Sequence, residues 1–169
     1  MRNALNRQEK RGLVERAAQK LYINKLAPHF SVRDLAAAVS PDCYVSLDSA
    51  LNEWGISTQS PITLTCISLK QIASVKTPSA QITFRTIKRP LYWGFVEKKT
   101  RYGSYKIADA EKAFLDWVYF HRKESLPTDF DEFQFQQLSR SKLVKYAKQY
   151  PAVLQQALFP ALVEHQFAA

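Results

Sequence analysis

Near the amino terminus, five side chains have the types and spacing to read nucleic acid. If residues 1–11 are helical, Arg2, Asn3, Asn6, Arg7 and Lys10 share one face and Ala4, Leu5 and Gln8 the other. Arginine pairs with guanine edges, asparagine with adenine edges, and lysine suits phosphate. Arg16 and Lys20 follow in a predicted hairpin, where they would flank a minor groove or touch phosphate as a wing does. The alternative is the solvated face of a terminal helix.

A second basic cluster comprises Arg85, Lys88, Arg89, Lys98, Lys99, Arg101 and Lys106, opposed between 85 and 106 only by Glu97. Tyr92, Trp93, Phe95 and Tyr102 are interleaved with it. Such a mixture can grip single-stranded nucleic acid by stacking and phosphate contact, or dock an acidic surface. Core packing is the commoner role for aromatics at strand positions such as 92, 93 and 95. A third set of cations, Arg140, Lys142, Lys145 and Lys148, reads as a solvated helix face or an extra phosphate track.

Catalysis would need other groups. Glu111, Lys112 and Asp116 lie on one predicted helix, and Asp129, Asp131 and Glu132 cluster after Pro127. A metal-dependent nuclease requires carboxylates converging from separate elements beside a positioned lysine. Here Lys112 and Asp116 have the spacing of an i,i+4 ion pair, and Glu111 sits where it favours a helix amino terminus. The later acids read as cap and first-turn residues. Glycine-rich phosphate loops, nucleophile elbows and His–carboxylate signatures are absent from the sequence. The expectation is a protein that is not an enzyme, with no metal and no cofactor.

Composition agrees. Hydrophobic residues form 46% of the 169, enough for a core without disulfides or metals, and the formal charge of +9 favours polyanionic partners. Cys43 and Cys66 form no CxxC pair, sit in apolar surroundings, and read as small core residues in a reducing compartment. His29, His121 and His165 have no partner at metal-ligand spacing. No window reaches the ~18 uninterrupted apolar residues of a membrane span, and MRNALNRQEKRG lacks the apolar centre of a signal peptide. A cytoplasmic protein with no membrane partner is expected.

The elements that must position these residues can be read along the chain. Gly12 stops the first helix, and 13–16 and 20–23 form a hairpin whose turn lacks the usual Gly or Asn. Pro28 and Ser31 introduce a helix over 32–39, and Ser46 caps a second over 47–54 with Gly55 as its left-handed end. Segments 62–67, 81–87 and 91–96, rich in β-branched and aromatic residues, predict strands, and 105–107 a shorter one. The segment 97–104 between them predicts an exposed loop. Asp109 caps a helix over 110–121, and Asp129, Ser139 and Pro151 start helices over 129–137, 139–149 and 151–158. The fold class is therefore α+β: a winged-helix remnant (1–25), then a body (29–169) of helices on a small mixed or antiparallel sheet with a C-terminal helical bundle.

Four stretches carry a resemblance. YVSLDSALNEWGI (44–56), ITFRTIKRPLYWGF (82–95) and YKIADAEKAFLDWVYF (105–120) resemble successive signatures of the AbiEi family. Upstream, NRQEKRGLVERAAQKLYI (6–23) resembles the end of that family's winged helix, and the likeness covers nearly the whole chain. It implies an antitoxin and autorepressor of a type IV toxin–antitoxin, or abortive-infection, system. Promoter DNA would be bound through the winged helix, and a nucleotidyltransferase-like toxin opposed by the C-terminal domain, without a stable complex being required. The family places two helices ahead of the recognition helix, whereas this chain begins about where those end, so the resemblance implies an incomplete module. Asp109 and Ala110 also stand where the family prefers Ser or Thr and often Pro; both still suit a helix start. A protein-interaction module acting through its C-terminal domain alone is the alternative.

Overall fold

The computed structural model describes residues 2–26 and 31–167, with the side chains of Arg2 and Asn3 outside that description. Pro28, expected to introduce a helix, and His29 also lie outside the described residues. Helix α1 (Arg2–Lys10) ends at Gly12, whose φ of +70° takes the left-handed conformation that closes the turn. Strands β1 (Val14–Ala18) and β2 (Leu21–Asn24) form a separate antiparallel hairpin. Lys20 supplies the positive φ that a Gly or Asn would normally provide in its turn.

The body is built on a mixed six-stranded sheet. Its strands are β3 (Tyr44–Val45), β4 (Leu64–Ser68), β5 (Val75–Lys76), β6 (Gln81–Thr86), β7 (Phe95–Lys99) and β8 (Ser104–Ala108), ordered β5-β6-β4-β3-β8-β7. The β4–β6 and β3–β8 pairs are parallel and the others antiparallel. The two-residue β3 holds the centre, joining the halves through Tyr44 and Val45. Both are fully buried, as are Cys66, Ile67, Ile82 and Ile107 beside them.

Helices α2 (Val32–Val39), α3 (Leu47–Glu53) and α4 (Ala110–Lys123) pack on this sheet. Ser31 caps α2 by accepting from the Asp34 amide, and Asp109 caps α4 by accepting from the Lys112 amide at 2.9 Å. Ala113, Phe114, Leu115 and Val118 of α4 are fully buried, and each large apolar side chain among them contributes about 1.5–3 kcal/mol. Helices α5 (Arg140–Ala147) and α6 (Ala152–Glu164) pack against α4. Among the described residues no helix is long and apolar enough to cross a membrane.

Three local expectations are corrected. Residues 129–137 are not a helix but an extended loop with a 3-10 turn at Phe135–Gln137. Its backbone is committed elsewhere, Gln134 N–H donating to Ile56 O at 2.7 Å and Ser57 bridging to Phe133. Phe130, Phe133 and Phe135 turn inward around Phe114, at centroid distances of 5.9, 5.4 and 5.4 Å. The strand expected over 91–96 is displaced, because Pro90 forms a 3-10 turn and Gly94 at φ +74° breaks the extension. Consequently β7 runs through 97–99, part of the segment expected as a loop. Finally, Ser46 precedes α3 without capping it by its side chain; its hydroxyl is used elsewhere.

Candidate functional site

The amino-terminal helix and hairpin are joined by backbone bonds from Leu13 N to Gln8 O (3.0 Å) and Lys25 N to Leu13 O (3.1 Å). Leu5 and Gln8 are half-buried while Asn6, Arg7 and Lys10 are exposed, as the periodicity predicts, but Ala4, expected on the inner face, is exposed as well. Arg16 on β1 and Lys20 in the turn are exposed as well. Arg11 is a further exposed cation that sequence reasoning missed, because Gly12 drew attention to where the helix stops.

The hairpin is anchored to the body on its opposite side. Ile23 is buried in the common core, with Ala17 and Leu21 packed against it. The Glu15 carboxylate accepts from Ser79 Oγ at 2.6 Å and Ser79 N at 3.3 Å, beside β5. Slight burial works to raise the Glu15 pKa, but the Ser79 and Thr77 hydrogen bonds and the charge of Lys25 outweigh it and lower the pKa. One of the module's acids thus has its partners within the fold.

The second basic cluster is dispersed. Arg85 lies on β6, forms an ion pair with Glu124 and sits over the Phe120 ring. Lys98, Lys99 and Lys106 lie on β7 and β8 at the far side of the sheet. Lys98 bonds Glu53 at 2.8 Å and covers the Trp54 ring. Lys88, Arg89, Lys99 and Arg101 are exposed, and Lys106 is half-buried with its ammonium 3.3 Å from Pro41 O. Of the interleaved aromatics, Tyr92 and Phe95 pack on Tyr44, and Trp93 packs on Tyr146 and Tyr150. Only Tyr102, in the β7–β8 turn beneath Arg101, is exposed.

Around Glu53 two cations share one carboxylate. Its carboxylate accepts from Arg33 Nε (2.8 Å), Lys98 Nζ (2.8 Å) and Tyr105 Oη (2.7 Å). Burial pushes the Glu53 pKa up, but the Lys98 and Tyr105 hydrogen bonds and the Arg33 charge together hold it below the ordinary carboxylate range. Burial, together with the hydrogen bond to Glu53 and its charge, pushes the Tyr105 hydroxyl well above its ordinary value, so it stays a donor.

The carboxylates of α4 are assembled for structure. Lys112 and Asp116 are both 0% exposed and bond at 2.5 Å. Asp116 also accepts from Tyr44 Oη (3.0 Å), Ser46 Oγ (2.9 Å) and Tyr150 Oη (2.7 Å). Lys112 donates to Leu91 O (2.9 Å) and Tyr150 Oη (2.7 Å). Burial raises the Asp116 pKa and lowers that of Lys112, each against the pull of the other's charge. The expected i,i+4 pair is therefore present, but as a buried hub joining α4, β3 and the segment before β7. Gly94 is part of its packing, since a Cβ there would meet Lys112 Cγ at 3.0 Å.

Glu111 lies in the first turn of α4, where it favours the helix amino terminus, and it also accepts from the Ser139 amide at 2.9 Å and from Lys142 Nζ at 2.7 Å. Lys142 also reaches Asp109 at 3.2 Å, so it joins α5 to α4. Asp129, Asp131 and Glu132 are exposed. Among the described residues no three His, Cys, Asp or Glu side chains are grouped to hold a metal ion.

Fold and site together define an α+β protein in which a cationic helix and hairpin are set on one end of a six-stranded, helix-packed body. Comparison with protein-family models finds none that matches, and a search of the curated proteins finds no match.

Proposed function

We propose that this chain is a cytoplasmic antitoxin and autorepressor of the AbiEi type, binding promoter DNA through α1 and the β1–β2 hairpin. The observation that carries the reading is the exposed set Asn6, Arg7, Lys10, Arg16 and Lys20 on a helix followed directly by a hairpin, the chain order of a recognition helix and its wing. Arg2 and Asn3 continue the same face by sequence. The body, opposing a nucleotidyltransferase-like toxin, has a non-catalytic role in this reading, consistent with α4 acids that bond to the fold.

Phosphate contacts release counterions, so log affinity should fall with log salt by about 0.9 per contact. An electrophoretic shift with the protein's own promoter DNA tests this. Complex formation at low salt that weakens steeply as salt rises is expected, and no shift at low salt overturns operator binding.

One observation favours the second reading, an interaction module that does not read DNA. Helix α1 has nine residues, below the ~12–15 at which isolated helices become stable in water, and it packs chiefly on its own hairpin.

A further inference from the structure

The two edges of the six-stranded sheet are finished differently. At one edge β5 is two residues long, and the β1–β2 hairpin lies against it through Glu15 and Ser79. At the other edge β7 runs five residues in unbroken register with β8, contains no proline, and pairs with no second strand among the described residues. Edge strands are ordinarily blunted by charged side chains, lysine above all, by proline, bulges or a covering element, and β7 is guarded by charge alone. The one inward cation of β7, Lys98, is neutralised by Glu53, and Val96 is 47% exposed.

The outward hydrogen-bonding groups can be assigned. Asp109 N donates to Gly94 O at 2.9 Å, and Thr100 N to Gly103 O at 2.9 Å. Antiparallel pairs alternate between hydrogen-bonded and non-bonded. Gly94, Val96, Lys98 and Thr100 therefore direct their amides and carbonyls toward β8, while Phe95, Glu97 and Lys99 direct theirs away from the sheet. Lys99 and Lys106 share one face of this edge, Val96 lies on the other, and exposed Arg101 stands at its end. Glu97, the sole acid of β7 and β8, lies on the Lys99 face directly opposite Lys106 and bonds Ser104, which leaves that face with a net positive charge.

We propose that β7 is a docking edge for an extended acidic peptide segment of a partner protein, which adds as a seventh strand. Its acidic side chains lie on the Lys99 and Lys106 face and its apolar ones beside Val96. Main-chain bonds to Phe95, Glu97 and Lys99 provide the affinity, and the cations exclude basic segments. This goes beyond operator binding and does not depend on it.

The test uses the full chain and a blocked peptide of about ten residues alternating glutamate with valine, the upper length of an ordinary strand. Saturable binding below about 1 mM is expected, with amide exchange at Phe95, Glu97 and Lys99 slowed about tenfold near saturation. The same peptide with lysine for glutamate should bind at least about tenfold more weakly, the loss coming from like-charge juxtaposition. A peptide N-methylated on its pairing amides should not bind, a control that leaves the protein unchanged. Glu97→Pro, which removes an outward donor without touching the β8 ladder, should abolish the protection. Equal binding of the N-methylated peptide, protection away from β7, or no binding at about 1 mM overturns the proposal. So does shielding of β7 by duplex DNA where the peptide gives none.

Discussion

Charge is handled in two opposite ways in this molecule. Lys112 and Asp116 are each bonded to several other groups of the chain, and neither side chain reaches solvent. On α1 and the hairpin, by contrast, Lys10, Arg11, Arg16 and Lys20 all face solvent, with like-signed neighbours at short sequence distance. A buried charge satisfied from four directions is committed to the fold. Exposed charges mostly of one sign are screened by water and salt and remain open to an anionic partner. The same residue types thus hold the body together in one place and offer a surface in the other.

The largest test of that contrast removes a partner from the buried set. Asp116→Ala leaves the Lys112 ammonium sealed beside Tyr44 and Tyr150 with no counter-charge. A loss of about 3–5 kcal/mol is expected, as for other broken buried pairs. The urea midpoint should move far to lower concentration with the m-value unchanged. A stability change under about 0.5 kcal/mol would place Asp116 with ordinary surface residues and erase the distinction.

A smaller effect, on binding rather than stability, is expected from the exposed set. Lys10→Glu, Arg16→Glu and Lys20→Glu together should cut promoter-DNA affinity by roughly a hundredfold at low salt and lower the salt slope by about three contacts. The unfolding free energy from urea titration should change by no more than about 0.5 kcal/mol, as is usual for surface substitutions. Under the interaction-module reading the parent and the triple variant alike show no salt-sensitive binding to promoter DNA, and that readout separates the two.

How much of this was legible beforehand depends on the range of the interaction. The i,i+4 spacing of Lys112 and Asp116 showed that they would meet. It did not show that Tyr44 and Ser46, about seventy residues earlier, and Tyr150, more than thirty later, would close over them. Ser46 had the residue type of a helix cap, and the buried carboxylate competed successfully for its hydroxyl. Local signals were sound where local forces decide: Asp109 caps α4, Gly55 takes φ +69° after α3, and Leu5 and Gln8 face inward.

They failed where tertiary contacts outvote propensity. The 129–137 segment has a helical start signal, but three phenylalanines at spacings of three and two cannot all reach Phe114 from one helix face. Glu97, Lys98 and Lys99 are weak strand formers, held extended by pairing with β8. The second basic cluster appeared continuous because its members are near in sequence. Pairing order carries Arg85 to β6, four strands from Lys98 on β7, roughly 19 Å at ~4.8 Å per strand.

Glu53 stands between the two extremes, half-buried with three donors, and it sharpens the comparison through pH. Its pKa is lowered in the folded protein, so the folded state holds that proton less tightly than the unfolded chain does. Its stabilisation is accordingly present in full above the unfolded glutamate value of about 4.3 and fades as pH falls through the lower folded value. Asp116 acts with the opposite sign, because burial raises its pKa, so whole-protein acid titration mixes the two. Glu53→Gln separates them. The variant should be modestly less stable than the parent at pH 7, and the two should converge as the pH is taken from about 5 to 3. Parallel curves over that range would mean that Arg33, Lys98 and Tyr105 hold Glu53 no more firmly than water does.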